Sequence, residues 1–271
     1  MTNPEPPLMT QLALLALNGE TEKVRMLLDQ GAALNVPEDH GLTAIYLASL
    51  MGHTDVVKVL LEYGDEPNPV GNESPLPLIA AADSGHAEIL ELLIAAGANV
   101  NRQGPTNLRA NQVSQVYDIS ALMLASGGDN ENIVNLLLRY GANLELTDND
   151  GDTALFYAAS RGNPRVVDIL LNAGANPNYH KVTGGNDPLA VVNFAVPFGG
   201  QLPPGRSPDD FWRVSLRLLR GGADPSVMYS GRVRPIRNTD RGTQIIALED
   251  LHDFIWYDDL QPVLVSDDSL L

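Results

Sequence analysis

The sequence predicts an all-α repeat solenoid, a row of helix-turn-helix units joined by finger loops. Three observations carry that reading. Gly31, Gly64, Gly97, Gly141, Gly174 and Gly222 each close an apolar run, at spacings of 33, 33, 44, 33 and 48 residues. Similar short segments recur ahead of those runs: Gly41-Leu42-Thr43-Ala44-Ile45-Tyr46-Leu47-Ala48, Leu76-Pro77-Leu78-Ile79-Ala80-Ala81-Ala82, Ser120-Ala121-Leu122-Met123-Leu124-Ala125 and Thr153-Ala154-Leu155-Phe156-Tyr157-Ala158. Between segment and run lies a polar turn such as Gly52-His53, Gly85-His86 or Gly162-Asn163. Self-similarity at a fixed period of 20–50 residues is the signature of a repeat architecture.

Each part of a unit has a physical reason. Thr10, Thr43, Ser120 and Thr153 stand where a first helix is expected to begin, and a hydroxyl there accepts from an orphan backbone N–H. Ala48, Ala81 and Ala82 keep that helix slim enough for close approach to the next unit. Runs such as Val56-Val57-Lys58-Val59-Leu60-Leu61 and Val166-Val167-Asp168-Ile169-Leu170-Leu171 supply the apolar stripe of a second helix. The closing Gly takes the left-handed cap without a Cβ penalty. One unit cannot bury its own stripe, so neighbours stack and stability sums over nearest-neighbour interfaces.

These features resemble the ankyrin repeat, with its 33-residue period and T-P-L-H-x-A signature, over about residues 8–225. The resemblance gives one domain over 1–271: units at 8–35, 36–68, 69–101, 102–145, 146–178 and 179–226, then a degenerate C-terminal cap at 227–271. It also implies protein binding through finger tips and the exposed ends of first helices. Carried onto this chain, that surface comprises Asp39, His40, Leu42, Leu50 and Met51 in the second unit, and Asn72, Glu73, Asp83 and Ser84 in the third. The fourth adds Val116, Tyr117 and Ile119, and the fifth Asn149, Asp150, Asp152, Ser160 and Arg161. The fourth unit departs from the pattern, with Asp118 at the usual finger Gly and Asp129 at the turn Gly.

The period breaks three times, and a stack tolerates insertions only at its loops. About 11 extra residues near Asn101–Asp118 enlarge a finger into a polar, turn-rich, hairpin-like loop. Fourteen more separate the two helices of the sixth unit around Pro197–Gly205. A third long loop falls at Tyr229–Asp240, after which Thr243-Gln244-Ile245-Ile246-Ala247-Leu248 reads as a last first helix. The terminal units are expected to show a polar outer face.

Charge and composition narrow the function. Lys and Arg total 17 against 34 Asp and Glu, a net charge of −17. Such a chain is unsuited to phosphate backbones, which need a basic face. No apolar run reaches the ~18–20 residues of a membrane span. The start Met1-Thr2-Asn3-Pro4-Glu5 lacks a basic n-region, which gives a cytoplasmic reading, or a periplasmic one had an export signal been removed. With no Cys, disulfides and thiolate chemistry are excluded. Fourteen Arg against three Lys suggest a bacterial chain.

The sequence carries no complete catalytic or metal-binding pattern. His53 and His86 share one repeat position, which indicates structural duty; His40 belongs to a finger tip, and His180 and His252 lack partners at metal-ligand spacing. Asp148-Asn149-Asp150-Gly151-Asp152 has calcium-loop residue types, but its Gly is at the fourth position and Ala159 stands where the twelfth-position Glu belongs. The expectation is therefore a non-enzymatic module without metal or cofactor, monomeric on its own. Acid mixed with Leu50, Met51, Val116 and Tyr117 points to a protein partner with a basic surface. The Arg-rich stretch from Arg206 to Arg241 is expected to pair with the acidic tail. A dedicated inhibitor or immunity protein, occluding an enzyme or toxin, is the narrower alternative.

Overall fold

A computed structural model describes residues 8–35, 42–69, 75–106, 116–178, 188, 189, 192, 203–224, 236–239 and 242–245. Only the backbone is described for 8–10, 106, 116, 117, 208 and both strands beyond 235. The chain falls into two compact units, Met1–Ala125 with Asn132–Asn143, and Ser126–Glu131 with Leu144–Leu271. Both are built from paired helices in the all-α repeat pattern, with short two-stranded hairpins added.

In the first unit the helices are α1 (Leu8–Leu17), α2 (Thr21–Asp29), α3 (Ala44–Met51), α4 (Thr54–Glu62), α5 (Pro77–Ser84) and α6 (Ala87–Ala95). First helices pack on first helices, α1 on α3 and α3 on α5, and second helices follow, α2 on α4 and α4 on α6. Ala48, Ala80 and Ala81 are fully buried, so backbones approach where the small residues stand. Val56, Val57, Leu60, Ile89, Leu90 and Leu93 are likewise fully buried on the second helices.

The helix starts follow the cap chemistry. Thr43 Oγ1 accepts from the Tyr46 N–H at 3.3 Å, and Ser120 Oγ from the Met123 N–H at 3.2 Å. Leu76, extended before Pro77, opens α5 without a side-chain cap, because Pro fits a first turn and drives the residue before it out of the helical region. Thr10 is a correction. It lies inside α1, which begins at Leu8.

α7 (Ala121–Gly127) and α8 (Glu131–Arg139) follow the enlarged finger. That finger is a β-hairpin at its root: β1 (Gly104–Thr106) pairs antiparallel with β2 (Val116–Ile119), irregularly between Gly104 and Thr106. Asp118 (φ 62°) and Asp129 (φ 60°) both adopt the left-handed conformation of the glycines they replace. Gln103 Nε2 donates to the Asp118 carbonyl, holding one of these strained positions. Residues 107–115 lie outside the described set. Replacing them with Asn-Gly should leave far-UV circular dichroism unchanged and cost about 1 kcal/mol or less, since loop-closure entropy varies slowly with length.

The second unit contains α9 (Ala154–Ser160), α10 (Pro164–Asn172) and α11 (Pro208–Arg220), with α10 packed on both others. Thr153 Oγ1 caps α9 by accepting from the Phe156 N–H at 3.3 Å. Of the sixth unit's first helix, Pro188, Leu189 and Val192 are described as helical and buried. The inserted loop before α11 returns at Arg206, whose guanidinium meets the Asp129 carboxylate at 2.6 Å and also bonds Asn163. Asp210 then accepts from the Ser207 N–H and hydroxyl, at 2.9 and 3.0 Å. Burial pushes the Asp210 carboxyl up, but those two bonds with Arg206 and Arg213 outweigh it and hold it below its ordinary value.

Two further expectations are corrected. Thr243, Gln244 and Ile245 are strand, not helix: β4 (Gly242–Ile245) pairs antiparallel with β3 (Ile236–Thr239), with Thr239 opposite Gly242. β-branched Ile236, Thr239, Thr243 and Ile245 suit a strand, and two residues suffice to connect them. The N-terminal outer face is only half polar, since Leu14 and Met26 are 49% and 59% exposed. With Gln11, Leu15, Lys23, Leu27 and Gln30 they line a groove of about 370 Å³.

Candidate interaction surface

Stacking at a constant period sets equivalent residues in rows. Leu50 and Asp83 occupy one repeat position, as do Met51 and Ser84, at the exposed ends of α3 and α5. Met51 is 50% exposed, Leu50 is half-buried, and Asp83 and Ser84 are exposed. Beneath them Tyr46 is 4% exposed. Burial pushes its phenol up to about 12, and the Asp83 charge adds to that rise. Leu42, half-buried, lies just ahead of the Thr43 cap.

The second unit presents its own patch. Asn149 and Asp150 are exposed at a finger tip shaped by Asp148. Asp148 is 4% exposed; its Oδ1 accepts N–H bonds from Asp150 and Asp152, each 2.9 Å, and its Oδ2 accepts the Tyr157 hydroxyl at 2.7 Å. Its carboxylate is therefore turned inward to organise the finger. Burial, then the bond to Asp148, drives the Tyr157 phenol far above its ordinary range. At the end of α9, Arg161 is exposed, and the half-buried Ser160 donates to the Tyr157 carbonyl at 3.1 Å.

Not every expected contact residue is available. Ile119 is 1% exposed and roots the hairpin opposite Gly104, and Asp152 is 9% exposed. Both immediately precede a first-helix cap, where the side chain packs inward as in a hydrophobic staple. Both leave the contact surface. Asp39, His40, Asn72 and Glu73 lie outside the described residues, as do the side chains of Val116 and Tyr117, whose backbones are in β2. His180 and His252 also lie outside.

His53 and His86 are structural. The His53 ring packs against Gly19, and its Nε2 bonds the Leu17 carbonyl at 3.0 Å. In the second unit Asn163 Nδ2 does the same for the Ser126 and Gly127 carbonyls, at 2.7 and 3.1 Å. His53 and Asn163 each satisfy a carbonyl at a first-helix C-terminus, and the His86 ring packs close to Gly52. A second bridge, which the repeat pattern alone did not reveal, is made by Asn35, Asn68, Asn101 and Asn178. Asn68 donates to the Gly97 carbonyl at 2.8 Å and accepts the Asn99 N–H at 2.9 Å. Asn101 does so with Gly141 and Asn143, and Asn178 with Gly222 and Asp224. Its signal was an Asn recurring at the repeat spacing.

Charge is distributed by face. α1, α3, α5, α7 and α9 carry no Lys or Arg and a single carboxylate, Asp83. Four cations on second helices are paired across repeats: Arg25 with Glu62 at 3.1 Å, Lys58 with Glu88 at 2.9 Å, Arg165 with Glu131 at 3.3 Å and Arg217 with Asp168 at 2.6 Å. Arg25 also stands 5.8 Å over the Tyr63 ring, whose hydroxyl donates to Asp29 at 2.6 Å. Such exposed pairs add little stability, typically ~0–1 kcal/mol. Each does cancel one cation against one carboxylate on neighbouring second helices. Among the described residues no group of His, Asp or Glu could hold a metal ion, and no helix is long and apolar enough to cross a membrane.

A family model described as ankyrin repeats (3 copies) matches residues 12–104 and again 105–181. No curated protein matches the chain.

Proposed function

Because the chain belongs to the ankyrin-repeat family, whose repeats are generally protein–protein interaction modules, we propose that it is a non-enzymatic binding protein for a partner with a basic surface. The observation that carries this is the first-helix row. Met51 offers an exposed, adaptable apolar contact, Asp83 supplies charge beside it, and α1, α3 and α5 of the first unit carry no cation to oppose a basic partner. Asp150 adds acid at a finger tip of the second unit. Apolar anchors supply affinity, while flanking charge steers encounter and selects partners.

The test is capture of a stoichiometric partner followed by titration. Asp83→Lys and Asp150→Lys, separately and combined, are expected to weaken binding, the combination by about tenfold or more at low salt, and to flatten its salt dependence. Unchanged affinity at low salt in the combined variant would remove the electrostatic part of the reading.

The hairpin finger of β1 and β2 supports a narrower form: a bacterial inhibitor or immunity protein that uses the enlarged finger to occlude an enzyme or toxin. Its distinguishing result is loss of the captured enzyme's activity on binding, restored when residues 107–115 are removed.

A further inference from the structure

The residue after each closing glycine is an alanine in five units: Ala32, Ala98, Ala142, Ala175 and Ala223. Four of these are buried, Ala32 at 9%, Ala98 at 8%, Ala175 at 7% and Ala223 at 4% exposure. The second repeat, within the first unit, has Asp65 there instead, itself only 4% exposed. A carboxyl group thus occupies a site that the repeat shapes for a methyl group. Its backbone N–H donates to the Leu60 carbonyl at 3.0 Å, closing α4 as in the other units. Oδ1 accepts the Glu66 N–H at 3.1 Å, a bond shared with Asn35 Oδ1 at the same distance. Oδ2 is buried with no hydrogen-bond partner among the described residues. An ionised carboxylate in such a place costs far more than a neutral one.

We propose that Asp65 is a pH-responsive weak point of the repeat stack: the neutral carboxyl is accommodated, and its ionisation loosens the turn that closes α4. Among the described residues the charged group acting on Asp65 is Glu66, whose like charge opposes ionisation; Asn35, the other polar neighbour, is neutral. The cations of α2 and α4 are engaged elsewhere, Lys23 with Glu20, Arg25 with Glu62 and Lys58 with Asp55 and Glu88. Burial pushes the Asp65 carboxyl up from 3.8 to about 7, with the Glu66 charge adding and the backbone hydrogen bonds from Glu66 and Asn35 subtracting. The folded chain therefore holds a proton that the unfolded chain releases near pH 4. Stability contributed at this site is complete below about pH 4, falls as pH rises to about 7, and is level above.

The test is urea unfolding of the full chain from pH 4 to 9, comparing wild type with Asp65→Ala and Asp65→Asn. Alanine is the residue five other units use here, so that variant retains the fold. General repulsion in a chain of net charge −17 also disfavours high pH, and the comparison subtracts it. The folding constant of Asp65→Ala relative to wild type is expected to rise by up to about tenfold per pH unit between pH 4 and 7, then to plateau. Asp65→Asn should follow the same shape. Amide exchange at Asp65 and Glu66, corrected for intrinsic rate, should quicken above pH 7 in wild type alone. Parallel stability curves for wild type and Asp65→Ala, or unchanged exchange in wild type, would overturn the proposal.

Discussion

Gly52→Val is expected to destabilise the first unit by about 3 kcal/mol or more, read as a lowered urea midpoint. Two costs combine. Gly52 caps α3 at φ +81°, a conformation that L residues adopt at a penalty and β-branched ones least of all. A Cβ built there would also lie 2.5 Å from His86 Cε1 and 2.8 Å from Nε2. That ring cannot simply withdraw, because His86 opens α6 from a half-buried position. Gly64 separates the two costs. At φ +89° it shares the backbone conformation, yet an added Cβ meets nothing within 4 Å. Gly64→Ala should therefore cost only about 1 kcal/mol, the backbone part, and Gly52→Ala clearly more. Combining Gly52→Ala with His86→Ala should recover about 1 kcal/mol or more over additivity. Additive costs would mean that the ring and the turn do not touch.

The glycine period was legible because a helix C-cap makes a demand that one residue type meets best. The caps of Thr43, Ser120 and Thr153 were legible for the same reason. What escaped depended on geometry that residue type does not fix. Thr10 has cap chemistry, but the helix starts two residues earlier, so a competent residue went unused in that role. Gly104-Pro105-Thr106 reads as turn, yet a three-residue strand needs only a partner, and Val116–Ile119 supplies one. Ile119 and Asp152 looked like finger residues by position, while at both of them the place just before the cap faces inward. Leu42, at that same place, is half-buried. The surface was thus legible as repeat positions, but which positions face solvent was decided by packing. Asp65 stood in plain view beside Gly64, and only its burial gave it meaning.

Phe211→Ala should produce the largest loss in the second unit, about 3–5 kcal/mol by the usual cost of emptying a buried aromatic site. Phe211 is fully buried on α11, and its ring covers the turn that ends α9: a Cβ at Gly162 would lie 2.9 Å from Cε2. It joins helix packing to turn geometry, as His86 does at Gly52, but with a larger apolar group and no polar end. The exposed contacts nearby cannot compensate. Arg217 with Asp168 and Arg206 with Asp129 are ion pairs at partly exposed side chains, and such pairs contribute little. Because repeats gain stability from nearest neighbours, the loss should concentrate on α11 and α10. A separate early transition is expected, with helix signal lost from that end while residues of the first unit keep their exchange protection. Phe211→Leu, which retains most of the volume, should cost only about 1 kcal/mol and restore a single transition. Equal damage from both substitutions would point to the ring's shape over Gly162, rather than its buried area, as what holds α11 in place.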